Sequence, residues 1–333
     1  MTEARPPAAV LAIDAGNSKT DVALVAADGT VLGEARGGGF QPPRTGVAAA
    51  VDSLAATVRE AAANAGAGEA KAGEAALARH VSACLANADL AVEVAELRTA
   101  LADRGWGGSV AVRNDTFALL RAGVDEPRGV AVVCGSGINC VGLLPDGRTH
   151  RFPALGQISG DWGGGGGVAA EALWYAARAE DGRGEPTALA EAVPRHFGLR
   201  TSLELIEALH LGRIPKRRVQ ELSPVLFAVA ADGDPIARGV VERLADEVVA
   251  MALVALTRLD LLDGPTPVVL GGSVLAARHP QLHAGITERL AARAPKAAAR
   301  VVTAPPVLGA ALLGLDAVAA PAAVQARLRA YYG

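Results

Sequence analysis

The chain has 333 residues, long enough to bury a large core and to form two domains rather than one. Hydrophobic residues make up 51% and charged residues 20%, which excludes a disordered chain; aromatics are only 3%, so packing must rely on small and branched side chains. A net charge of -3 offers no general attraction to nucleic acid, and the basic run Arg213-Ile-Pro-Lys216-Arg217-Arg218 is short enough for a solvated loop or helix start.

In chain order, the first segment, Met-Thr-Glu-Ala-Arg-Pro-Pro, lacks the basic-then-apolar order of a signal peptide. Ala8–Ile13 is an apolar run that ends in Asp14-Ala15-Gly16-Asn17-Ser18-Lys19-Thr20. A second run, Asp21–Ala26, the turn Asp28-Gly29 and a third strand, Val31–Ala35, complete a β-meander. Val51, Leu54 and Val58 at helical spacing predict a helix over Gly46–Ala65, while the Ala/Gly/Glu-rich residues 66–80 read as helix or loop. A strand at Val81–Ala86, a helix at Ala91–Arg104 and a strand at Ser109–Val112 follow. That last strand leads into Arg113-Asn114-Asp115-Thr116 and a short amphipathic helix closing on Gly123. Two readings of Asp115 are open: a helix cap, since Asp is a preferred N-cap, or a carboxylate at a strand end, where open α/β sheets place their chemistry.

Gly129–Cys134, the turn Gly135-Ser136-Gly137, the run Ile138–Leu144 and the turn Asp146-Gly147 repeat the first meander. The two Asp-Gly turns stand 118 residues apart. Such internal duplication predicts two similar lobes whose glycine turns face one another across a cleft. Gly156-Gln-Ile-Ser-Gly160-Asp161-Trp162 then precedes five glycines, Gly163–Gly167. Glycine loses the most backbone entropy on ordering, so this run is expected outside any regular element, as a mobile tip or a close approach to a ligand, with a helix from Val168 to Ala179 after it. Residues 186–262 are helical in pattern, in four helices ending with one from Pro235 to Leu262. Val248–Leu262 is too short to span a bilayer and is interrupted by Arg258 and Asp260, so it reads as a buried helix. Strands at Pro267–Leu270 and Arg300–Thr303 and helices at Val307–Ala319 and Ala322–Tyr331 finish the chain.

Three glycine turns, at Gly16, Gly135–Gly137 and Gly271–Gly272, each follow an apolar strand. Exposed N–H groups in such turns form anion-binding concavities, and together the three suggest phosphate cradles, with Lys19 and Thr20 adding a cation and a hydroxyl. A Walker A loop is excluded because GxxxxGK[ST] is absent there, and a dinucleotide fingerprint because the third glycine is missing and a strand follows. Plainer roles stand beside these: Asp14 as a turn-stabilising residue, Lys19 as a solvated one, Asp161 as a loop or cap residue. His279 and His283 stand four apart with no carboxylate or third ligand beside them, so no metal is expected there. Cys84, Cys134 and Cys140 form no CxxC pair and lie in apolar contexts, so buried reduced thiols in a cytoplasmic protein are expected.

The order of these motifs resembles the superfamily of sugar kinases, heat-shock ATPases and actin, and within it the BadF/BadG/BcrA/BcrD ATPase family, in its N-acetylglucosamine and glucosamine kinase-like branch. Ile13–Asp21 looks like the first phosphate motif, Cys134–Asn139 like the second, Val268–Ser273 like the adenosine motif and Pro306–Gly314 like the last connecting helix. Glu171-Ala-Leu and Arg178–Gly184 also read like this branch. The resemblance implies an α/β fold of two actin-like (ribonuclease H-like) lobes, 1–112 plus 309–333 and 113–308, with a helical part at 168–262. It implies ATP as co-substrate and Mg²⁺ as cofactor, with Asp115 as catalytic base and Asp14 orienting the ion through water. Asn17, Ser18, Lys19, Thr20, Gly135 and Ser136 would hold phosphates, and Gly271, Gly272 and Ser273 the nucleoside. Asn114, Asp115, Gly137, Asn139, Gly156 and Asp161 would hold the sugar. Trp162 departs from the acidic residue common after this Asp, and the glycine run exceeds the usual pattern.

The expected activity is transfer of the γ-phosphoryl of ATP to the 6-hydroxyl of D-glucosamine, because the Asp161 carboxylate favours an ammonium; N-acetylglucosamine is the alternative. A dehydratase-activating ATPase is disfavoured because its iron–sulfur cluster needs closely spaced cysteines. A non-catalytic sugar sensor is disfavoured by Asp115 and by the lack of room for a helix-turn-helix before Val10. The expected partners are a sugar and ATP, with neither nucleic acid nor membrane, and the resemblance adds a possible homodimer.

Overall fold

A computed structural model of the protein describes residues 7–66 and 76–333; most of the Ala/Gly/Glu-rich stretch of 66–80 therefore lies outside the described residues. Strand β1 (Ala8–Ala15) is buried along its whole length, as its unbroken apolar run requires. It pairs antiparallel with β2 (Lys19–Val25), which pairs antiparallel with β3 (Val31–Gly38). Helices α1 (Pro42–Thr45) and α2 (Val47–Asn64) follow, and α2 buries Val51, Leu54, Val58 and Ala61 at the predicted spacing. Strand β4 (Ala78–Leu85), helix α3 (Ala91–Ala102) and strand β5 (Gly107–Asn114) complete a five-stranded sheet of order β3-β2-β1-β4-β5. Because β4 and β5 run parallel to β1, the carboxyl ends of all three strands reach one edge. Leu11, Ile13, Leu85, Leu97 and Leu101 form its core with α2. Helix α4 (Thr116–Gly123) leaves that edge.

Strands β6 (Gly129–Cys134), β7 (Ile138–Leu143) and β8 (Thr149–Arg151) begin a second sheet. A 3-10 turn at Gly156–Ser159 leads to α5 (Gly164–Glu180). The helical segment continues with α6 (Leu189–His196), α7 (Ser202–His210), a 3-10 stretch at Lys216–Glu221, α8 (Leu222–Ala231) and α9 (Pro235–Arg258). Asp234 caps α9 by accepting from the Ala237 N–H, and Pro235 opens it. Strand β9 (Thr266–Gly271), α10 (Ser273–Ala276), α11 (Pro280–Arg293) and β10 (Ala297–Val301) close the second sheet, whose order is β10-β9-β6-β7-β8. Its strands follow the same order as those of the first sheet, as the repeated meander predicts. The last strand begins three residues before the predicted Arg300, because its alanines carry little β signal and pairing with β9 places it.

Helices α12 (Pro306–Ala317) and α13 (Ala322–Tyr332) end the chain. The chain packs as two compact units, one of residues up to Gly129 with Val141–Thr149 and Val302–Gly333, the other of Val130–Cys140 and His150–Val301. The first unit thus continues past residue 112, since β5 runs to Asn114 and α4 packs on α12. That contact is tight: a Cβ on Gly309 would lie 1.7 Å from the Ala118 carbonyl oxygen. The guanidinium of Arg121, fully buried, donates to both carboxylate oxygens of Asp316 at 2.8 and 3.1 Å, to Gln325 and to the carbonyls of Val124 and Asp125. Cys84, Cys134 and Cys140 are buried free thiols. Among the described residues no helix is long and apolar enough to cross a membrane.

The five-glycine run departs from expectation. Gly164–Gly167 form the first turn of α5 rather than a tip outside regular structure. A Cβ on Gly164, whose φ is +69°, would lie 2.5 Å from the Cα of Gly137, and the amides of Gly165 and Gly166 donate to the carbonyls of Gly135 and Ser136. The helix pays the entropy of ordered glycine because only a bare backbone fits against the neighbouring turn.

Candidate active site

In the first unit, register places Asp21, Asp14, Cys84 and Arg113 in one row across four strands, with Asp115 just past the end of β5. Asp14 is buried, and burial together with the charges of Asp115 and Asp21 pushes its carboxyl up to about 8, against the pull of Lys19. Burial likewise raises Asp115 to about 6, against the backbone N–H groups at the start of α4. Two carboxylates that resist ionisation side by side are a cluster that a cation would relieve.

The helix-cap reading of Asp115 does not hold. It occupies the N-cap position with no side-chain capping bond. Asn114 does that work: its Oδ1 accepts from the Thr116 N–H at 2.9 Å, while its Nδ2 donates to Asp89 at 2.7 Å. The side-chain capping bond of α4 thus comes from Asn114 and not from Asp115.

The first glycine turn is tied from outside. Gly16 N–H donates to the Lys19 carbonyl, and its own carbonyl accepts from the Phe40 N–H, both at 2.9 Å. The Asn17 carbonyl accepts from Gln41 at 2.7 Å, and its side-chain oxygen accepts from Asn87 at 3.1 Å. Asn17 and Ser18 are exposed, whereas Thr20 is buried. Lys19 is not a free cation: its Nζ donates to Asp21 at 2.7 Å, and Arg36 donates to the other oxygen at 2.5 Å. Burial works against the Asp21 charge, but these two cations outweigh it and hold the carboxyl below its ordinary range. Arg36, Gln41 and Asn87 escape a reading of local pattern, because only the sheet register and loop packing bring them to this turn, and the same holds for Asp89 beside Asn114.

In the second unit, Gly135 and Ser136 line a cavity of about 280 Å³ with Gly165, Gly166, Ser273 and Val274. Its other wall is Gln220, Ser223, Pro224, Phe227, Ala277 and His279. Phe227 and His279 stack at 3.8 Å with their planes 2° apart. Burial, with the charge of His283, lowers the His279 pKa, so the imidazole is a neutral plate at pH 7. Gly271 ends β9, and Gly272, directly before Ser273, is the N-cap of α10. Elsewhere in this unit, Asp161 Oδ2 accepts from Ser159 Oγ at 2.5 Å and from the Gly156 N–H at 3.1 Å, and the Asp161 N–H returns a bond to the Gly156 carbonyl. Asn139, next to Gly137, accepts from the Cys140 N–H. The anticipated site residues therefore form two groups, Asp14, Asn17–Thr20, Asn114 and Asp115 in one unit, the remainder in the other.

The sequence profile of one ATPase family matches residues 11–314, nearly the whole chain. The protein belongs to the BadF/BadG/BcrA/BcrD ATPase family. An N-acetylmuramic acid/N-acetylglucosamine kinase of Clostridium acetobutylicum is 26% identical over 162 residues, 49% of this chain and 53% of that protein. An N-acetyl-D-glucosamine kinase of Dictyostelium discoideum is 25% identical over 208 residues, 62% of this chain and 65% of its own. The matches thus span between about half and two thirds of these relatives' length. Among solved structures, a candidate N-acetylglucosamine kinase of Chromobacterium violaceum aligns with a TM-score of 0.68 at 23% identity, over 92% of this chain and 98% of that one. A glucokinase of the ROK family from Streptomyces griseus, in complex with glucose and AMPPNP, aligns with a TM-score of 0.51 at 16% identity, over 91% and 98%. These likenesses are of fold: this BadF/BadG/BcrA/BcrD family member has the actin-like α/β architecture of sugar kinases.

Proposed function

We propose that the protein is an ATP-dependent kinase of amino sugars, with N-acetylglucosamine ahead of glucosamine as acceptor. The observation that carries the kinase assignment is Asp115: a partly buried carboxylate at a strand end, raised to about 6, adjoining Asp14 and relieved of capping by Asn114. Phosphoryl transfer asks the protein for in-line positioning, charge neutralisation and an acceptor for one proton. Asp115 takes that proton from the sugar 6-hydroxyl as the new O–P bond forms and the bond from the γ-phosphorus to the bridging oxygen breaks, releasing ADP. A carboxyl raised to about 6 is ionised at neutral pH and more basic than an ordinary aspartate. Asn114 orients the sugar and holds the start of α4. The glycine turns and Lys19 bind phosphate, and the cavity beside Ser273 receives the nucleoside.

Mg²⁺ fits the donor set, since Asp14 and Asp115 repel one another and a hard dication favours carboxylate oxygen. Among the described residues no group of three or more His, Cys, Asp or Glu forms a metal cluster, so Asp14 would hold the ion with water and phosphate as its other ligands. Bound there, the ion supplies neutralisation of phosphate charge.

Two observations support placing N-acetylglucosamine before glucosamine. The relatives named above are kinases of N-acetylated sugars. Asp161, which the sequence assigned to an ammonium, already uses one oxygen to accept two hydrogen bonds from its own loop. Homodimer formation belongs to the same proposal and is read by light scattering of the purified chain.

ADP release measured over a panel of sugars tests the assignment, with fastest turnover expected for N-acetylglucosamine. Asp115→Asn should lower kcat by about 10³-fold while ATP still binds. Wild-type turnover in that variant would show that another group is the base.

A further inference from the structure

We propose that Trp162 determines sugar specificity, as a fixed aromatic wall that takes the acetamido group of an N-acyl amino sugar; this rests on the assignment of Asp161 to the sugar. Trp162 follows Asp161 and is held through both its backbone and its indole. On one flank Asp161 is bound into the loop by Ser159 and Gly156. On the other, Gly163 has a φ of +129°, and a Cβ there would lie 2.9 Å from Leu244 Cδ1 and 3.6 Å from Ile138 Cδ1, so the backbone has one path. The indole itself is pinned: its Nε1–H donates to Glu171 on α5 at 3.2 Å, and the Arg243 guanidinium on α9 sits 3.8 Å from the ring centroid. Arg243 and Glu171 pair in turn at 3.5 Å.

Trp162 nevertheless remains only half-buried. A tryptophan whose rotamer is already spent before any ligand arrives is pre-organised for contact. Its chemistry selects the ligand. With Arg243 on one face, an ammonium brought close to the ring would meet the guanidinium charge. A neutral acetamido methyl packs on an aromatic surface without that cost. Asp161 adds the same bias, because the oxygen that already receives two donors is a poor counter-ion for an amine. Trp162 and Asp161 therefore divide the work: the carboxylate takes a hydroxyl, and the indole reads the substituent on nitrogen.

Isothermal titration of the full-length protein with N-acetylglucosamine and with glucosamine, without nucleotide, tests this. Trp162→Ala is expected to weaken N-acetylglucosamine binding about tenfold and to bring the ratio of the two dissociation constants towards one. Trp162→Phe, which keeps an aromatic wall, should retain most of the preference. Arg243→Gln should tighten glucosamine severalfold, a gain that damage to the fold would not produce, and it keeps the test alive if the alanine variant does not fold. Equal losses for both sugars in Trp162→Ala, an unchanged ratio, or no binding of either sugar by the wild type would overturn the proposal. ADP release is measured in parallel. A wild type that binds N-acetylglucosamine but does not phosphorylate it would sink the kinase assignment and leave Trp162 in place.

Discussion

At the scale of single residues, three aspartates along one edge of the first sheet behave in two opposite ways, and the difference is measurable. Asp14 titrates at about 8 in the folded protein against 3.8 for an ordinary aspartate, chiefly through burial. A folded value above the unfolded one gives stability that is complete below about 3.8 and is lost as pH rises through about 8. In nucleotide-free protein with chelator, Asp14→Asn should therefore melt higher than wild type at pH 8, and the gap should close towards pH 4. Asp21 has the reverse sign: its carboxyl lies below the ordinary value, so its stabilisation is present above that value and fades on acidification. Asp21→Asn should melt lower at pH 7 and converge with wild type in acid. Melting curves over this range decide both, and a less stable Asp14→Asn at pH 8 would contradict the burial of an uncompensated charge. Asp115 adds a kinetic signature: as a base with a pKa near 6 it should let kcat/KM fall about tenfold per unit below that pH, once the sugar is saturable.

At the scale of elements, helix α4 is the piece whose placement matters, because Asn114 and Asp115 at the end of β5 lead directly into it. Its other end is gripped by the last two helices. Arg121 is bound by Asp316 of α12 and Gln325 of α13, and Arg329 of α13 donates to the carbonyls of Arg121, Ala122 and Val124. Removing the carboxylate leaves a fully buried guanidinium short of its counter-charge, which typically costs about 3 kcal/mol. Asp316→Ala should lower the urea midpoint accordingly, and the double variant Arg121→Met, Asp316→Leu should recover much of the loss. Gly309→Ala should be costly for a different reason, since its methyl would occupy the Ala118 carbonyl; a penalty of about 3 kcal/mol is expected from forced separation of α4 and α12. A neutral Gly309→Ala would mean that this helix pair is looser than its packing implies.

At the scale of the whole molecule, the duplicated sheets have diverged in what they hold. The first unit carries Asp14 and Asp115, and the second carries the cavity, whose far wall comes from the helical segment between β8 and β9 together with Ala277 and His279 after β9. Nucleotide should therefore leave a specific imprint in hydrogen exchange. Added ADP is expected to protect the amides of 134–137, 164–167, 220–227 and 272–279, all of which line or back the cavity. Absence of protection at 220–227 and around His279 would place the base elsewhere.

Much of this is legible in the amino-acid sequence. The two meanders, their Asp-Gly turns and the three glycine turns stand in local pattern, because strand alternation and turn chemistry are written over a few consecutive residues. The positions of Asp14 and Asp115 followed from the same strand ends. Tertiary structure alone decided the rest. It made Gly164–Gly167 the start of a helix, since the constraint is a close approach to Gly135–Gly137 nearly thirty residues earlier. It gave the capping of α4 to Asn114, tied Lys19 to an aspartate shared with Arg36, and stacked Phe227 on His279. Each outcome depends on groups far apart in sequence competing for one partner or one volume, and local propensity contains no record of that competition.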